Sequence, residues 1–336
     1  MTWTMPPEWA PHERTWMAWP TSGYTLGDTD EVAEEAWGAW AAVANAVVRF
    51  EPVSMLVNEA DVEVARRWLD PAVDLVPGVV DDAWMRDMGP TFVRGDDGSI
   101  AGVDWIFNGW GAQPWATWEN DATVARQVCA SAGLPVIASP MVNEGGGIHV
   151  DGEGTVLLTR TVQLGEGRNP HWTPQQVEDE LRRTLGVETF VWLDRGLTRD
   201  YDEFGTRGHV DIVACFSDAH TVLFHDQRDP QHPDHAVSAE VLALLESLPG
   251  LRVVSLPAPD TLRDDEGWVD YSYVNHYIVN DAVILCAFDD PGDERAAAIL
   301  REVYPGREVV LVDARPIFAR GGGIHCITQQ QPSPRE

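Results

Sequence analysis

Five times along this chain a stretch with helical apolar spacing gives way to a short β-type run, and this recurrence narrows the fold more than any other feature. The first helix starts at the cap candidate Asp30 and runs through Val47 into a strand over residues 52–57. Later units start near Glu119, Thr173, Ala236 and Gly292, with strands over 135–138, 188–193, 251–256 and 308–312. The last four starts lie 54, 63 and 56 residues apart, the regularity of a repeat. The first unit carries a longer insert with a further helix over roughly 60–69. The chain therefore reads as α/β, made of five distant copies of one unit around a common axis.

In α/β architectures the polar segments beyond strand ends are where sites are assembled, and each unit here delivers one. They are Trp84-Met85-Arg86-Asp87 within 81–90, Asn143-Glu144-Gly145-Gly146-Gly147-Ile148-His149 within 143–152, Gly208-His209-Val210-Asp211, Tyr273-Val274-Asn275 within 271–277, and Gly321-Gly322-Gly323-Ile324-His325-Cys326 within 321–332. The string Gly-Gly-Gly-Ile-His occurs twice, at 145–149 and 321–325. One copy would read as a flexible turn. Two copies at equivalent places point to a shared structural task.

Charge excludes several partners and chemistries. The 23 basic residues against 54 acidic ones leave a net charge of −31, so nucleic acid and anionic membrane surfaces are repelled rather than gripped. Every basic residue is Arg and none is Lys, which removes lysine Schiff bases, a pyridoxal-phosphate anchor and the Walker phosphate loop. Most of the acidity reads as solubility, with steering of a cationic ligand as a secondary effect. No signal peptide or membrane span is visible, so a cytoplasmic location is expected. Cys129, Cys215 and Cys286 sit in helix- or strand-like runs and read as structural; Cys326, beside glycines, does not.

Together the five segments offer a thiol (Cys326), an imidazole (His209), three carboxylates (Glu144, Asp87, Asp211) and an amide (Asn275), with Trp84 as a flat wall. A thiol attacks only as thiolate, and neighbouring carboxylates oppose its ionisation. With no Lys available, the compensating positive charge is expected from the substrate. A guanidinium fits, because carboxylates can hold its planar fork by opposite edges. On this hypothesis Asp87 and Asp211 bind the guanidinium, Cys326 attacks its central carbon, His209 is the acid and base, and Glu144 orients His209.

Blander readings stand beside these. Asp87 next to Arg86 is also what half of a structural ion pair looks like, and Glu144 could hold the glycine loop by its backbone N–H groups. His149 and His325, flanked by apolar residues, read as core histidines outside the site, and Asp151 before Gly152 as a turn residue. The histidines between His225 and His235 lie among prolines and read as loop, so no metal site is expected there.

At these residues the chain resembles the agmatine deiminase family, related to bacterial peptidylarginine deiminase within the guanidino-modifying superfamily. The resemblance rests on Met5-Pro6-Pro7-Glu8-Trp9, Trp16-Met17-Ala18-Trp19-Pro20, Trp84 to Pro90, Asp104-Trp105-Ile106-Phe107-Asn108, Gly208-His209-Val210-Asp211 and the tail from Gly321 to Gln330. It implies a five-bladed pseudo-symmetric α/β-propeller (pentein fold) with the site in its central channel. It further implies one catalytic domain over 1–336 with 332–336 as a disordered tail, no metal or organic cofactor, and a homo-oligomer. The implied reaction converts agmatine and water to N-carbamoylputrescine and ammonia. By motif, the nucleophile falls at Cys326, the acid/base at His209, its partner at Glu144, and guanidinium binding at Asp87 and Asp211, with Asn275 and Trp84 as substrate contacts.

Departures from the family pattern fall at Arg207, Ile212 and His276, and 112–119 is shortened. Arg207 disfavours an ammonium tail if it points inward; a surface position is expected. Arginine, peptidyl arginine and other alkylguanidines therefore stay open as substrates. A metal-dependent ureohydrolase using His149, Asp151, His209 and Asp211 is a second class of reading, and a non-catalytic guanidine binder a third.

Overall fold

The computed structural model describes residues 2–334. Its strands form five separate sheets, and each repeats one pattern. A first strand pairs antiparallel with a second, which pairs parallel with a third. In order of first strand these are Thr91–Gly95 with Ile100–Ile106 and Val136–Val142, Ile148–Val150 with Thr155–Thr159 and Thr189–Leu193, and Ala214–Asp218 with Thr221–Asp226 and Arg252–Pro257. Tyr277–Val279 with Ala282–Ala287 and Glu308–Asp313 follows, and the fifth joins Gln329–Pro332 to His12–Ala18 and Val53–Val57. This is a five-bladed α/β-propeller.

Parallel neighbours cannot be joined by a tight turn, so a helix crosses between the second and third strands of each blade. The five are Asp30–Val47, Val124–Ala132, Pro174–Leu185, Asp234–Glu246 and Gly292–Val303. Local chemistry starts them: Thr29 accepts from the Val32 N–H, and Thr173 and Gln176 form a capping box with Pro174 in the first turn. The helices expected from periodicity are thus present, and so are the third strands. Most of the first and second strands escaped that reading. They are short, buried on both faces and lack alternation, as in Ala282–Ala287. The insert in the first unit holds a helix at Val62–Trp68 and an added strand at Asp74–Pro77.

The last blade is shared between the two ends of the chain. Gln331 Oε1 accepts from the buried Trp16 Nε1 at 2.8 Å, and the Glu51 carboxylate takes Thr15 Oγ1 at 2.5 Å and the Asn280 N–H at 2.8 Å. Pro332 is still in the strand and the Ser333 N–H donates to Pro11 O, so this part of the tail expected over 332–336 is held. Residues 335 and 336 lie outside the described residues. Cys129 lies in a helix and Cys215 and Cys286 in strands, all buried. Among the described residues no helix is long and apolar enough to cross a membrane.

The closing strand makes one prediction. Gln331→Ala strands the Trp16 indole N–H inside the protein, a loss of about 1–3 kcal/mol. Calorimetry of the folded variant is expected to show a lower melting temperature, while its site chemistry stays as in the parent.

Candidate active site

Each polar segment folds as one tight turn between the outer strand of one blade and the first strand of the next. The turns are Met85–Met88, Gly145–Gly147, Val210–Ile212, Tyr273–Asn275 and the turn holding Cys326, where Thr328 N–H donates to His325 O. Hydrogen bonds tie them into a closed ring. Gly146 N–H donates to Asp87 Oδ1 at 3.0 Å, His209 Nε2 lies 3.4 Å from Glu144 Oε2, and Asn275 Nδ2 donates to Asp211 O at 3.3 Å. His325 N–H donates to Asn275 Oδ1 at 3.0 Å, and Arg86 N–H to Cys326 O at 3.0 Å, which closes the circle.

The ring brings together all seven residues named from the sequence, and none is more than 5% exposed. Cys326 Sγ lies 3.5 Å from Asp211 Oδ2 and 3.4 Å from Asn275 Nδ2. A Cβ placed on Gly146 would stand 2.5 Å from His209 Nδ1, 2.9 Å from Asp87 Oδ1 and 3.1 Å from Asp211 Oδ2, so these three atoms face one small space and only glycine leaves it open. A Cβ on Gly322 would stand 2.5 Å from the Trp84 ring and 3.1 Å from Cys326 Sγ, which sets the ring beside the thiol. Trp84 is fixed by Thr25 Oγ1 at 3.1 Å and by the edge of Trp40 at 5.5 Å. His209 Nδ1 and Asp211 Oδ1 are buried without a hydrogen-bond partner, a condition that costs free energy until a ligand supplies one.

The charges are strongly coupled. Burial pushes Asp87 up to about 6 even with His209 nearby, and Asp211 and Glu144 add to the rise. Burial opposes a charged His209, yet Asp87, Glu144 and Asp211 raise it to about 9. Burial and then Asp211 and Asp87 push the Cys326 thiol well above its ordinary range. These shifts favour the thiol over the thiolate at Cys326 and the imidazolium over the neutral imidazole at His209.

Several side chains were not anticipated. Arg168 holds Glu144 through Nε at 3.0 and 2.9 Å, and against burial it keeps that carboxylate below its ordinary range. Trp110 Nε1 donates to Asp87 Oδ2 at 2.8 Å. Asp200 gathers the N–H groups of Thr206, Gly208 and His209. No spacing rule marks these residues, since each lies outside the five segments. Arg86 does not pair with Asp87; it faces Glu8 at 3.4 Å.

Other expectations divide. His325, read as a core histidine outside the site, is buried and touches Asp211 Oδ2 at 2.8 Å, because the turn aims its Nδ1 at that carboxylate. His149 accepts from the Phe216 N–H at 3.2 Å, and Asp151 caps its own turn through the Glu153 and Thr155 N–H groups. His149, Asp151, His209 and Asp211 therefore do not converge as a dinuclear metal site would require. His232 and His235 are engaged by Val269 O and Gln227 O. His276 bonds Tyr273 O and Tyr304 Oη, and burial drives it down to about 4. Ile212 is core. Arg207, expected on the surface, is half-buried, with its guanidinium spent on Tyr201 O and Gln113 Oε1. It lines a cleft of about 560 Å³ together with Trp110 and Arg168.

The family described as Porphyromonas-type peptidyl-arginine deiminase matches residues 4–332. A protein of Streptomyces coelicolor provisionally named an agmatine deiminase is 59% identical over 99% of each chain. The agmatine deiminase of Ectopseudomonas mendocina is 39% identical over 98% of this chain and 96% of its own. Among solved structures, the agmatine deiminase of Enterococcus faecalis superposes with a TM-score of 0.91 at 33% identity, covering 98% of this chain and 96% of that one.

The coupled charges predict a titration. His209 gains its proton through Asp87 and Glu144, so its folded-state value lies above its ordinary one. Its contribution to stability is present below pH 6.5 and is lost as pH rises through about 9. Histidine-selective NMR is expected to place its midpoint near 9 in the parent and lower in Asp87→Asn.

Proposed function

Because this chain belongs to the Porphyromonas-type peptidyl-arginine deiminase family and is a hydrolase of guanidino C–N bonds, we propose that its substrate is agmatine and its products N-carbamoylputrescine and ammonia. The observation that carries this is the convergence of Asp87 Oδ1, Asp211 Oδ2 and His209 Nδ1 around the space beside Gly146, with Cys326 Sγ on its border. Two carboxylates set to take a planar cation by opposite edges, next to a sulfur, favour attack at the carbon of a guanidinium.

The chemistry follows from the charges. In the empty site two anions hold the sulfur protonated. A guanidinium entering between Asp87 and Asp211 offsets them, and the thiol releases its proton to water. The thiolate forms a C–S bond to the guanidinium carbon. The His209 imidazolium gives its proton to the departing nitrogen, ammonia leaves, and a thiouronium remains. Neutral His209 then takes a proton from water, the hydroxide adds to the same carbon, the C–S bond breaks to return thiolate, and the hydroxyl proton passes to water to leave a neutral ureido product. Arg168 holds Glu144 charged, and Glu144 keeps His209 oriented through the cycle.

The relatives named agmatine deiminases favour agmatine over arginine or peptidyl arginine. In the same reading the whole chain acts as one catalytic domain, works without metal or organic cofactor, lies in the cytoplasm and assembles as a homo-oligomer.

An ammonia-release assay over agmatine, arginine, a peptidyl arginine and simple alkylguanidines tests the substrate. Agmatine is expected to be turned over, unaffected by chelator and abolished by iodoacetamide; loss of activity with chelator, or urea as product, contradicts the reading. Cys326→Ala is expected to lower kcat by about 10⁴-fold or more, and turnover near the parent rate contradicts the covalent step.

A further inference from the structure

Beside Asp211 lies a second set of buried ionisable groups that the reaction above leaves unused, and it meets the same oxygen, Oδ2, that the thiol faces. His325 Nδ1 stands 2.8 Å from Asp211 Oδ2, and His325 Nε2 stands 2.7 Å from Glu8 Oε1. Glu8 also faces Arg86 Nη1 at 3.4 Å and His149 Nε2 at 3.8 Å. All these side chains are buried. A ring with a carboxylate oxygen against each nitrogen satisfies both bonds only when both nitrogens carry hydrogen, that is, as imidazolium. The N-terminal segment, which contributes no residue to the reaction, thus reaches the guanidinium site through one histidine.

We propose that Glu8 and His325 are positioning residues for the deimination: Glu8 keeps His325 cationic, and the cation fixes Asp211 as a carboxylate whose Oδ2 faces the space beside Gly146 where the guanidinium binds. The inference rests on the functional reading above. The His325 hydrogen bond at 2.8 Å holds Oδ2 where it faces that space, and Oδ1 is buried without a partner. An incoming N–H thus meets an acceptor of fixed direction.

The groups facing this chain set its sign. Around His325 stand Asp211, Glu8, Arg86, His149 and His276; around Asp211 stand His325, His209, Arg86, Asp87 and Cys326. Burial and Arg86 oppose a charged His325, and Glu8 and Asp211 overcome them, so its proton is held above the ordinary histidine range. Burial likewise opposes the charge of Asp211, and His325 leads the groups that hold it below the ordinary range. Without the Glu8 charge, His325 sits beside a cation in a dry pocket and releases its proton at lower pH. Asp211 then protonates more readily and binds a cation less well.

Two measurements test this. In the Cys326→Ala protein, which cannot turn over, calorimetry gives the affinity for agmatine. Glu8→Gln is expected to weaken it about 10- to 100-fold, and to add no further loss once Asp211→Asn is present. His325→Asn, whose amide keeps a neutral donor toward Asp211 but loses the link to Glu8, is expected to weaken binding to a similar extent, and serves if Glu8→Gln does not fold. Histidine-selective NMR of the parent and of folded Glu8→Gln is expected to show the His325 midpoint falling in the variant. Parent-like affinity, losses that multiply with Asp211→Asn, or an unmoved His325 midpoint would each overturn the proposal. Failure of the parent to bind agmatine would instead count against the substrate reading, and the NMR result would still decide the role of Glu8.

Discussion

The structure turns on an electrostatic mismatch: the thiol of Cys326 is buried against Asp211 and near Asp87, with no lysine anywhere in the chain to relieve it. The cations that do approach are already committed. Arg168 is held by Glu144, Arg86 by Glu8, Arg207 by Tyr201 O and Gln113, and His325 is held between Glu8 and Asp211. His209 balances a further part of the negative charge and keeps Nδ1 free. A site built this way is poor at ionising its own sulfur. On the proposed mechanism it becomes competent when a flat cation arrives, which couples recognition to activation.

The fold serves this by placing five one-turn segments around one axis, so that residues as far apart in the chain as Arg86 and Cys326 become neighbours. No single blade holds more than a fragment of the site. Asp87 comes from one turn, Glu144 from the next, His209 and Asp211 from a third, Asn275 from a fourth and Cys326 from the last. The hydrogen bonds between turns run mostly through backbone and amide groups, which give direction without adding charge. Closing the fifth blade with strands from both ends of the chain completes the ring, and Glu8, from the N-terminal end, meets His325 beside Asp211.

Much of this was legible in the sequence, for physical reasons. Long helices with caps, such as the one opening at Thr173, show their period, and polar segments of Gly, Asp, His and Cys stand out against apolar strands. The absence of Lys is visible in composition alone. Less visible were partners whose role depends on three-dimensional approach. Arg168 lies in an ordinary-looking Gly-Glu-Gly-Arg-Asn stretch, Trp110 in a turn with left-handed backbone (φ 54°), and Asp200 among loop residues. His325 is buried, as its apolar neighbours in sequence suggest; what they do not show is that the tight turn aims its ring at Asp211. Glu8 was visible only as part of a recurring N-terminal string.

The central claim is that buried acids suppress the thiol until a cation offsets them. The most direct measurement is the pH dependence of Cys326 alkylation by iodoacetamide, corrected with Cys326→Ala for the three other cysteines. It is made on the empty parent and on folded Asp87→Asn, Asp211→Asn protein. Removing the two charges is predicted to move the reactive midpoint to lower pH, and a midpoint unchanged or shifted upward would contradict the account.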